Sequence, residues 1–317
     1  MELSFAPMEG ITYSGYRRIH AELFPGADRY YAPFIAPDST GRFKAGSLRD
    51  VLPENNAGIR LVPQLLCNAA APFLAVAREL KDLGYEEVDL NVGCPSGTVV
   101  AKHKGAGMLG DLRQLDDCLA DIFSRCSLKV SVKTRLGLHS ADEFPAILEL
   151  YRKYPLSRLI VHVRDRDGMY KSKPDVGAFA AALSCPFPVE YNGNIFTPAD
   201  LATLRERYPT LSAAMLGRGA VTNPALFREL KGGAALTAGE LENFHDRLVG
   251  EYLASGLAPN FTVSRMKELW FYQLCMFPGS ERAGKAILKS RTFPDYRAAV
   301  SALFRNVALD PGAGFNK

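Results

Sequence analysis

One short stretch of the chain decides its fold: VDLNVGCPS, residues 88–96. Apolar and polar residues alternate over its first five positions, which predicts a β-strand. A glycine and a proline then end the strand. Cys94 therefore lies on a turn just past a strand, where a thiol faces solvent or a ligand, although free cysteine is more commonly a small buried hydrophobe.

Similar strand-like segments recur on both sides of this stretch. Eight strands are predicted in all, at residues 3–7, 30–35, 59–66, 87–92, 128–134, 158–163, 188–191 and 213–216. Helical patterns fill most of the gaps, notably at 68–83, 112–126, 141–154 and 197–208, where Thr197 is the expected N-cap before a proline. Eight alternations of strand and helix predict a parallel (β/α)8 TIM barrel. The alternative is a doubly wound sheet, which is weakened because no Gly-x-Gly-x-x-Gly follows the first strand.

The pattern changes after residue 230. Residues 231–234 have the composition of a linker, and helices without strands are predicted at 241–253, 263–277, 283–289 and 296–304. We therefore predict a barrel domain at 1–232 and a small all-helical domain at 236–310. Residues 261–305 carry eight basic and three acidic side chains, which is usual for a solvated helix surface. Interleaved aromatic residues nevertheless make an RNA-facing surface plausible, namely Trp270, Phe271, Tyr272 and Tyr296.

Composition narrows the class of protein. With 47% hydrophobic and 23% charged residues among 317, the chain has ordinary globular composition. Its net charge of +4 permits a nucleic-acid partner without arguing for one. No apolar run is long enough to span a membrane, and the first residues do not resemble a signal peptide. The six cysteines show no paired zinc spacing, so we expect a cytoplasmic protein without a metal.

Polar residues cluster where the predicted strands end. In a (β/α)8 barrel, the reactive groups lie at the carboxyl ends of the strands. Seven of the eight strands supply such residues: Pro7, Met8, Glu9, Gln64, Asn91, Cys94, Lys133, Arg135, His162, Arg164, Asn192, Gly193, Asn194, Gly217 and Arg218.

Each of these positions also has a plainer interpretation. Gln64 could point outward from its strand, and His162 could be a satisfied core residue. Lys133 needs an anionic partner if it points inward, because an unpaired buried charge is costly. A glycine turn with Arg218 can bind an anion, and barrels of this class bind phosphate after strands seven and eight. Together these positions predict a phosphorylated cofactor whose polar edge meets Lys133 and His162.

A family resemblance rests on short motifs that occur in order: APM (6–8), Gln64, NVGCPS (91–96), GAGML (105–109), KTR (133–135), HVR (162–164), NGN (192–194) and GRGA (217–220). The chain resembles the tRNA-dihydrouridine synthases, a family of flavoproteins. The resemblance implies FMN as cofactor, NADPH (or NADH) as reductant, and reduction of the uracil C5–C6 double bond in tRNA. The sequence departs from the family pattern at three positions: Val163 and Asp165 replace glycine and threonine, and Asn194 replaces an acid.

The resemblance also implies roles for individual residues. Cys94 would be the general acid that gives a proton to uracil C5, since an ordinary thiol, with a pKa of about 8.5, is mostly protonated at neutral pH. Flavin contacts would come from Pro7, Met8, Glu9, Gln64, Lys133, His162, Asn192, Gly193, Asn194, Gly217 and Arg218. Contacts with the RNA substrate would come from Asn91, Lys102, His103, Lys104, Arg135 and Arg164.

Three other functions remain open at this point. The substrate could be rRNA, or the chain could be a flavin-dependent reductase of a free pyrimidine or enone. A chaperone-like RNA-binding protein is the non-enzymatic alternative, but such a protein needs neither Cys94 nor Lys133. We expect a monomer with no membrane partner.

Overall fold

A computed structural model of the protein describes residues 1–38, 41–169 and 173–317. Its strands are β1 (Glu2–Phe5), β2 (Arg29–Tyr31), β3 (Leu61–Val62), β4 (Gln64–Leu65), β5 (Glu87–Val92), β6 (Lys129–Gly137), β7 (Arg158–Asp165), β8 (Val189–Asn192) and β9 (Ala213–Leu216). They form one sheet in the order β3-β2-β1-β9-β8-β7-β6-β5-β4.

The sheet closes because β3 and β4 are halves of one strand. Only Pro63 separates them, and proline has no N–H to give to a strand ladder. The first half pairs with β2 and the second with β5, both in parallel. The two edges of the sheet are therefore covalently continuous, and the predicted eight-stranded (β/α)8 barrel is confirmed.

Proline also shortens the second predicted strand. The prediction ran from 30 to 35, but β2 ends at Tyr31, just before Pro33. Pairing resumes at Ile35, whose N–H donates to the carbonyl of Gln64 at 2.8 Å. The Ala32 N–H also donates to the Val62 carbonyl, at 3.1 Å, so backbone contacts with the neighbouring strand lie on both sides of Pro33.

Helices follow the strands along the chain. They are α1 (Ser14–Leu23), α2 (Ala45–Val51), α3 (Ala70–Asp82), α4 (Gly97–Val100), α5 (Leu112–Arg125), α6 (Phe144–Tyr151), α7 (Val176–Phe179), α8 (Pro198–Arg207), α9 (Arg218–Thr222) and α10 (Leu226–Leu230). Thr197 caps α8 as predicted, since its hydroxyl accepts from the Asp200 N–H at 3.3 Å. The predicted helix 141–154 begins instead as a 3-10 turn, Ala141–Glu143.

The C-terminal region is helical, as predicted. It contains α11 (Ala238–Ala254), α12 (Pro259–Gln273), α13 (Glu281–Lys289) and α14 (Phe293–Asn306). The predicted linker is exposed and non-helical from Gly232 to Ala235. No helix in the described part of the chain is both long and apolar enough to cross a membrane.

The contacts divide the chain into two compact units that are not continuous in sequence. The first comprises residues 1–7, 29–193 and 207–215, and the second comprises 8–28, 194–206 and 216–317. The predicted domains, 1–232 and 236–310, were continuous. The difference arises because α1 belongs to the second unit, where Tyr16 packs edge-on against Phe244 of α11 and Arg18 pairs with Glu251 at 2.6 Å.

Two aromatic residues predicted to face RNA lie in the core of the second unit. Trp270 and Tyr296 are both fully buried. The Trp270 indole N–H donates to the Tyr296 hydroxyl at 2.8 Å, and His245 Nε2 lies 2.7 Å from the same oxygen. That prediction was wrong, because these rings build the helical core. Phe271, one position along α12, is 46% exposed.

Candidate active site

Polar side chains from several strands meet on the inner face of the barrel. Lys133 of β6 donates from Nζ to Asn192 Oδ1 of β8 at 2.8 Å, although β7 lies between their strands. Such a contact skips a strand and must cross the interior of the barrel. Strand register then places Asn91 opposite Lys133. Since side chains alternate along a strand, Asp89 shares this inner face.

Four side chains of the inner face form a continuous hydrogen-bond series, which we call the interior amide chain. It consists of Ser131, Asp89, Gln64 and Asn91. The Ser131 hydroxyl donates to Asp89 Oδ1 at 2.6 Å, and Gln64 Nε2 donates to Asp89 Oδ2 at 2.7 Å. Asn91 Nδ2 then donates to Gln64 Oε1 at 2.7 Å. The open question about Gln64 is therefore resolved: its side chain points inward and is fully buried.

The interior amide chain ends at the Cys94 turn. Asn91 Oδ1 accepts from the N–H of Gly93 at 3.0 Å and from the N–H of Cys94 at 2.8 Å, an Asx-type turn. The side-chain oxygen of Asn91 is thus occupied by two backbone N–H groups. One amide N–H is left for the predicted contact with a uracil edge.

Residues 105–106 hold the backbone of Cys94 from the other side. The Cys94 carbonyl accepts from the Ala106 N–H at 3.1 Å. Gly105 has φ +55°, and a Cβ there would lie 2.8 Å from the Cys94 Cβ, so only glycine fits. The thiol itself stays half-buried at the end of β5. The backbone of Cys94 is therefore fixed while its side chain remains accessible.

Lys133 points inward, which the sequence allowed only with a compensating partner. Burial and the nearby Arg135 together lower the pKa of its ammonium group to about 8, although Asp89 and Glu190 oppose this shift. Nζ has three N–H bonds, of which Asn192 takes one. Asn192 is held in turn by its Nδ2, which donates to the Met215 carbonyl at 2.9 Å.

Sequence reasoning missed Asp89. Burial raises the pKa of this carboxyl to about 7, and hydrogen bonds from Ser131 and Gln64 only partly oppose the shift. The available signal was its position two residues before Asn91, which puts both side chains on the same face of the strand.

Two arginines predicted to contact RNA are buried instead. Arg135 is 1% exposed, and it donates from Nε to the Gly93 carbonyl at 2.7 Å and from Nη1 to the Asp165 carbonyl at 3.0 Å. Arg164 is 3% exposed, with Nη1 3.3 Å from His162 Nε2. Both guanidinium groups thus have contacts within the protein, and their predicted contact with RNA stays a prediction. Arg135 braces the backbone just before Cys94, because its fork of N–H donors reaches two carbonyls.

The loop after α4 carries the remaining predicted RNA contacts. Lys102 and His103 are exposed and Lys104 is half-buried. Asn68 Nδ2 donates to the Lys102 carbonyl at 3.0 Å. His103 adopts φ +50°, an uncommon conformation for a residue with a side chain. The loop thus presents cationic groups outward from an ordered backbone.

The second unit contains the remaining polar residues predicted at the strand ends. Arg218 Nη2 donates to Asn194 Oδ1 at 2.9 Å. Its guanidinium carbon lies 5.4 Å from the Phe196 ring centroid and 5.0 Å from that of Phe315, a contact that the sequence did not predict. Asn194, which departs from the family pattern, therefore orients an arginine that lies against two aromatic rings in contact with each other.

The predicted residues after β1 are held by local contacts. Met8 accepts at its carbonyl from the N–H of Ile11 at 3.0 Å. The exposed carboxylate of Glu9 accepts from the Tyr13 hydroxyl at 2.9 Å. Pro7 is half-buried at the end of the first unit's opening segment. Across the described ranges, no group of three His, Cys, Asp or Glu side chains could hold a metal ion.

A family model and the curated relatives indicate one family. The model of the dihydrouridine synthase (Dus) family matches residues 4–245. The tRNA-dihydrouridine synthase B of Pseudomonas putida is 28% identical over 262 residues, which cover 80% of this chain and 75% of that protein. A probable tRNA-dihydrouridine synthase of Rhodobacter capsulatus is 30% identical over 226 residues, covering 69% and 67%. Among solved structures, morphinone reductase in complex with tetrahydroNAD has a TM-score of 0.52 at 15% identity, covering 74% of this chain and 88% of that one, a likeness of fold.

Proposed function

The chain belongs to the dihydrouridine synthase family, and we propose that it reduces the C5–C6 double bond of specific uridines in tRNA to dihydrouridine. FMN is the proposed cofactor and NADPH (or NADH) the proposed reductant. The observation that carries the proposal is the fixed backbone and accessible thiol of Cys94, at the end of a barrel strand beside the inward-pointing Lys133.

The residues present fit a phosphorylated flavin. Lys133 has N–H bonds beyond the one given to Asn192, so it can hold an electron-rich ring edge. Gln64 has one further amide N–H for the same purpose. In the second unit, Arg218 is a guanidinium of the kind that binds phosphate. Further proposed contacts are Pro7, Met8, Glu9, His162, Asn192, Gly193, Asn194 and Gly217.

When bound, FMN would supply the hydride that uracil C6 receives. The protein's own task is to provide a proton for C5 as the double bond is lost, and we assign it to the Cys94 thiol. The S–H bond breaks as the C5–H bond forms, which leaves a thiolate that solvent reprotonates. Hydride and proton together complete the reduction, and Asn91 and Arg135 keep the turn in place during this step.

The RNA substrate must expose the target base. A stacked uracil cannot reach a site inside a barrel mouth, so the nucleotide is splayed out of the fold. Lys102, His103 and Lys104 would bind phosphate near the base that is reduced. The C-terminal helices add a basic surface with the exposed Phe271 ring. We place the enzyme in the cytoplasm, in keeping with six free cysteines, and expect a monomer.

Mapping dihydrouridine in a strain that lacks the gene tests this function. We expect one or a few tRNA sites to lose the modification, and the native gene to restore them. The purified protein should also be yellow, with a flavin absorption band. Loss of an rRNA site instead would favour the rRNA alternative, and unchanged RNA with a yellow protein would favour the small-molecule reductase. A colourless protein that does not take up added FMN would exclude both enzymes.

Replacing Lys133 by methionine is expected to weaken FMN binding about 10- to 100-fold. The change keeps a long side chain but removes a charged hydrogen-bond donor, worth about 1.5–3 kcal/mol. Flavin fluorescence titration of the apoprotein measures the effect. Lys129→Met is the matched control, because Lys129 lies on the same strand with an exposed side chain. Equal FMN affinity in the two variants would contradict the assigned contact.

A further inference from the structure

The interior amide chain has a direction that its two ends impose. At one end, the N–H groups of Gly93 and Cys94 can only donate, so the oxygen of the Asn91 amide must face them. The Asn91 nitrogen then faces Gln64, which must present its oxygen. The Gln64 nitrogen in turn faces Asp89, which must accept. Each amide is oriented by its neighbour.

Asp89 is the acceptor at the far end. Its side chain is fully buried, and its two oxygens accept from Gln64 at 2.7 Å and from Ser131 at 2.6 Å. An amide group has almost the same shape when turned over, so hydrogen bonding alone selects its orientation. Without an acceptor at position 89, the Gln64 amide can turn and present its nitrogen to the nitrogen of Asn91.

We propose that Asp89 is a positioning residue for Cys94, acting through Gln64 and Asn91. The same chain orients the amide assigned to the flavin and the amide beside the uracil, so one buried carboxyl prepares both. The assignment of these two amides to flavin and uracil rests on the proposed function. The hold on the Cys94 turn does not, because it involves only contacts within the protein.

The direction of the chain is retained when Asp89 is neutral. Burial raises the pKa of this group to about 7, so both protonation states occur near neutral pH. A protonated carboxyl can donate to the Ser131 hydroxyl while its other oxygen still accepts from Gln64. Asparagine can do the same with its amide. Asp89→Asn is therefore expected to preserve the turn, whereas Asp89→Leu removes the acceptor at similar volume.

Alkylation of Cys94 by iodoacetamide measures the state of the turn without requiring activity. Trypsin releases residues 82–102 as a peptide whose only cysteine is Cys94, so mass spectrometry reports this thiol alone. We expect Asp89→Leu to accelerate its alkylation at least about threefold, because the turn loses its fixed acceptor. Asp89→Asn and Ser131→Ala should stay within twofold of the native rate, since both keep an acceptor facing Gln64.

Internal controls separate local from general loosening. Cys126 and Cys185 are also half-buried in the first unit, and their rates should not change. An equal rise at all three thiols would overturn the proposal, as would an Asp89→Asn protein that reacts like Asp89→Leu. Gln64→Met interrupts the interior amide chain at its next member and must also accelerate the alkylation of Cys94. A native alkylation rate in that variant overturns the proposal even if Asp89→Leu does not fold.

Steady-state kinetics connects the turn to catalysis. For Asp89→Leu we expect a fall in kcat of about tenfold or more, with a smaller change in KM for tRNA, because the proton donor is misplaced after binding. The kcat of Asp89→Asn should instead stay close to that of the native protein. If the native protein makes no dihydrouridine, the proposed function fails, while the alkylation pattern still decides the role of Asp89.

Discussion

Replacing Cys94 by alanine is expected to lower the rate of dihydrouridine formation by about 10²- to 10⁴-fold, the usual contribution of a positioned general acid. Alanine removes the only group on this turn that can give a proton to a carbon. It leaves the backbone contacts with Asn91 and Ala106 intact, because these use the N–H and C=O of residue 94. Flavin content and its reduction by NADPH should stay within about twofold of the native protein.

Two measurements separate proton donation from the supply of reducing equivalents. Stopped-flow absorbance follows flavin reduction by NADPH, and mass spectrometry of digested tRNA counts dihydrouridine in a single turnover. Cys126→Ala, at another half-buried thiol of the first unit, serves as the control and should behave as native. Native product formation by the Cys94→Ala protein would remove Cys94 from its assigned role.

The β5 region was predictable because local rules govern it. Alternation of apolar and polar residues gave the strand, and glycine and proline gave its end; the observed Glu87–Val92 has the predicted bounds. The prolines at 33 and 63 were equally visible in the sequence. Their effect on the strands was not anticipated, because it depends on which backbone N–H groups the ladder requires at those positions.

The burial of the arginines was not predictable from position along a strand. Arg135 and Arg164 lie near the carboxyl ends of β6 and β7, as residues that contact substrate do, and the carbonyls of Gly93 and Asp165 engage Arg135 while a histidine lies against Arg164. The two carbonyls lie 42 and 30 residues from Arg135 along the chain, so its own segment of sequence does not reveal them. The interior amide chain is hidden for the same reason, since it joins three strands through side chains that share a face only after the barrel closes.

Replacing Arg158 by methionine is expected to lower the free energy of unfolding by about 3–5 kcal/mol, the usual cost of leaving a buried charge without its partner. Arg158 is 5% exposed and pairs with Glu2 at 2.7 Å and with the fully buried Glu190 at 3.4 Å. Methionine fills much of the same volume, so most of the loss comes from the unpaired carboxylate of Glu190. Urea unfolding followed by circular dichroism measures the difference.

The dependence of this loss on pH identifies its cause. Burial raises the pKa of Glu190 to about 7, above its value in the unfolded chain, and Arg158 holds it down. Between these two pKa values the folded state binds more protons than the unfolded state, so this carboxyl costs stability as pH rises from about 4.5 to about 7, and the cost is constant above that. Without Arg158 its pKa rises further, so the variant should lose more stability at pH 8 than at pH 5.5.

Two further variants show whether the unpaired charge is responsible. Arg158→Met combined with Glu190→Met should recover most of the loss, because a buried ion pair replaced by apolar groups of similar volume is often neutral. Arg152→Met, at a surface pair with Glu149, should cost about 1 kcal/mol or less. If the Arg158 variant matches that surface control, the ion pairs of Arg158 add little to the stability of the barrel. If it loses the full amount and the double variant recovers it, the barrel tolerates the buried Glu190 carboxylate only because Arg158 neutralises it.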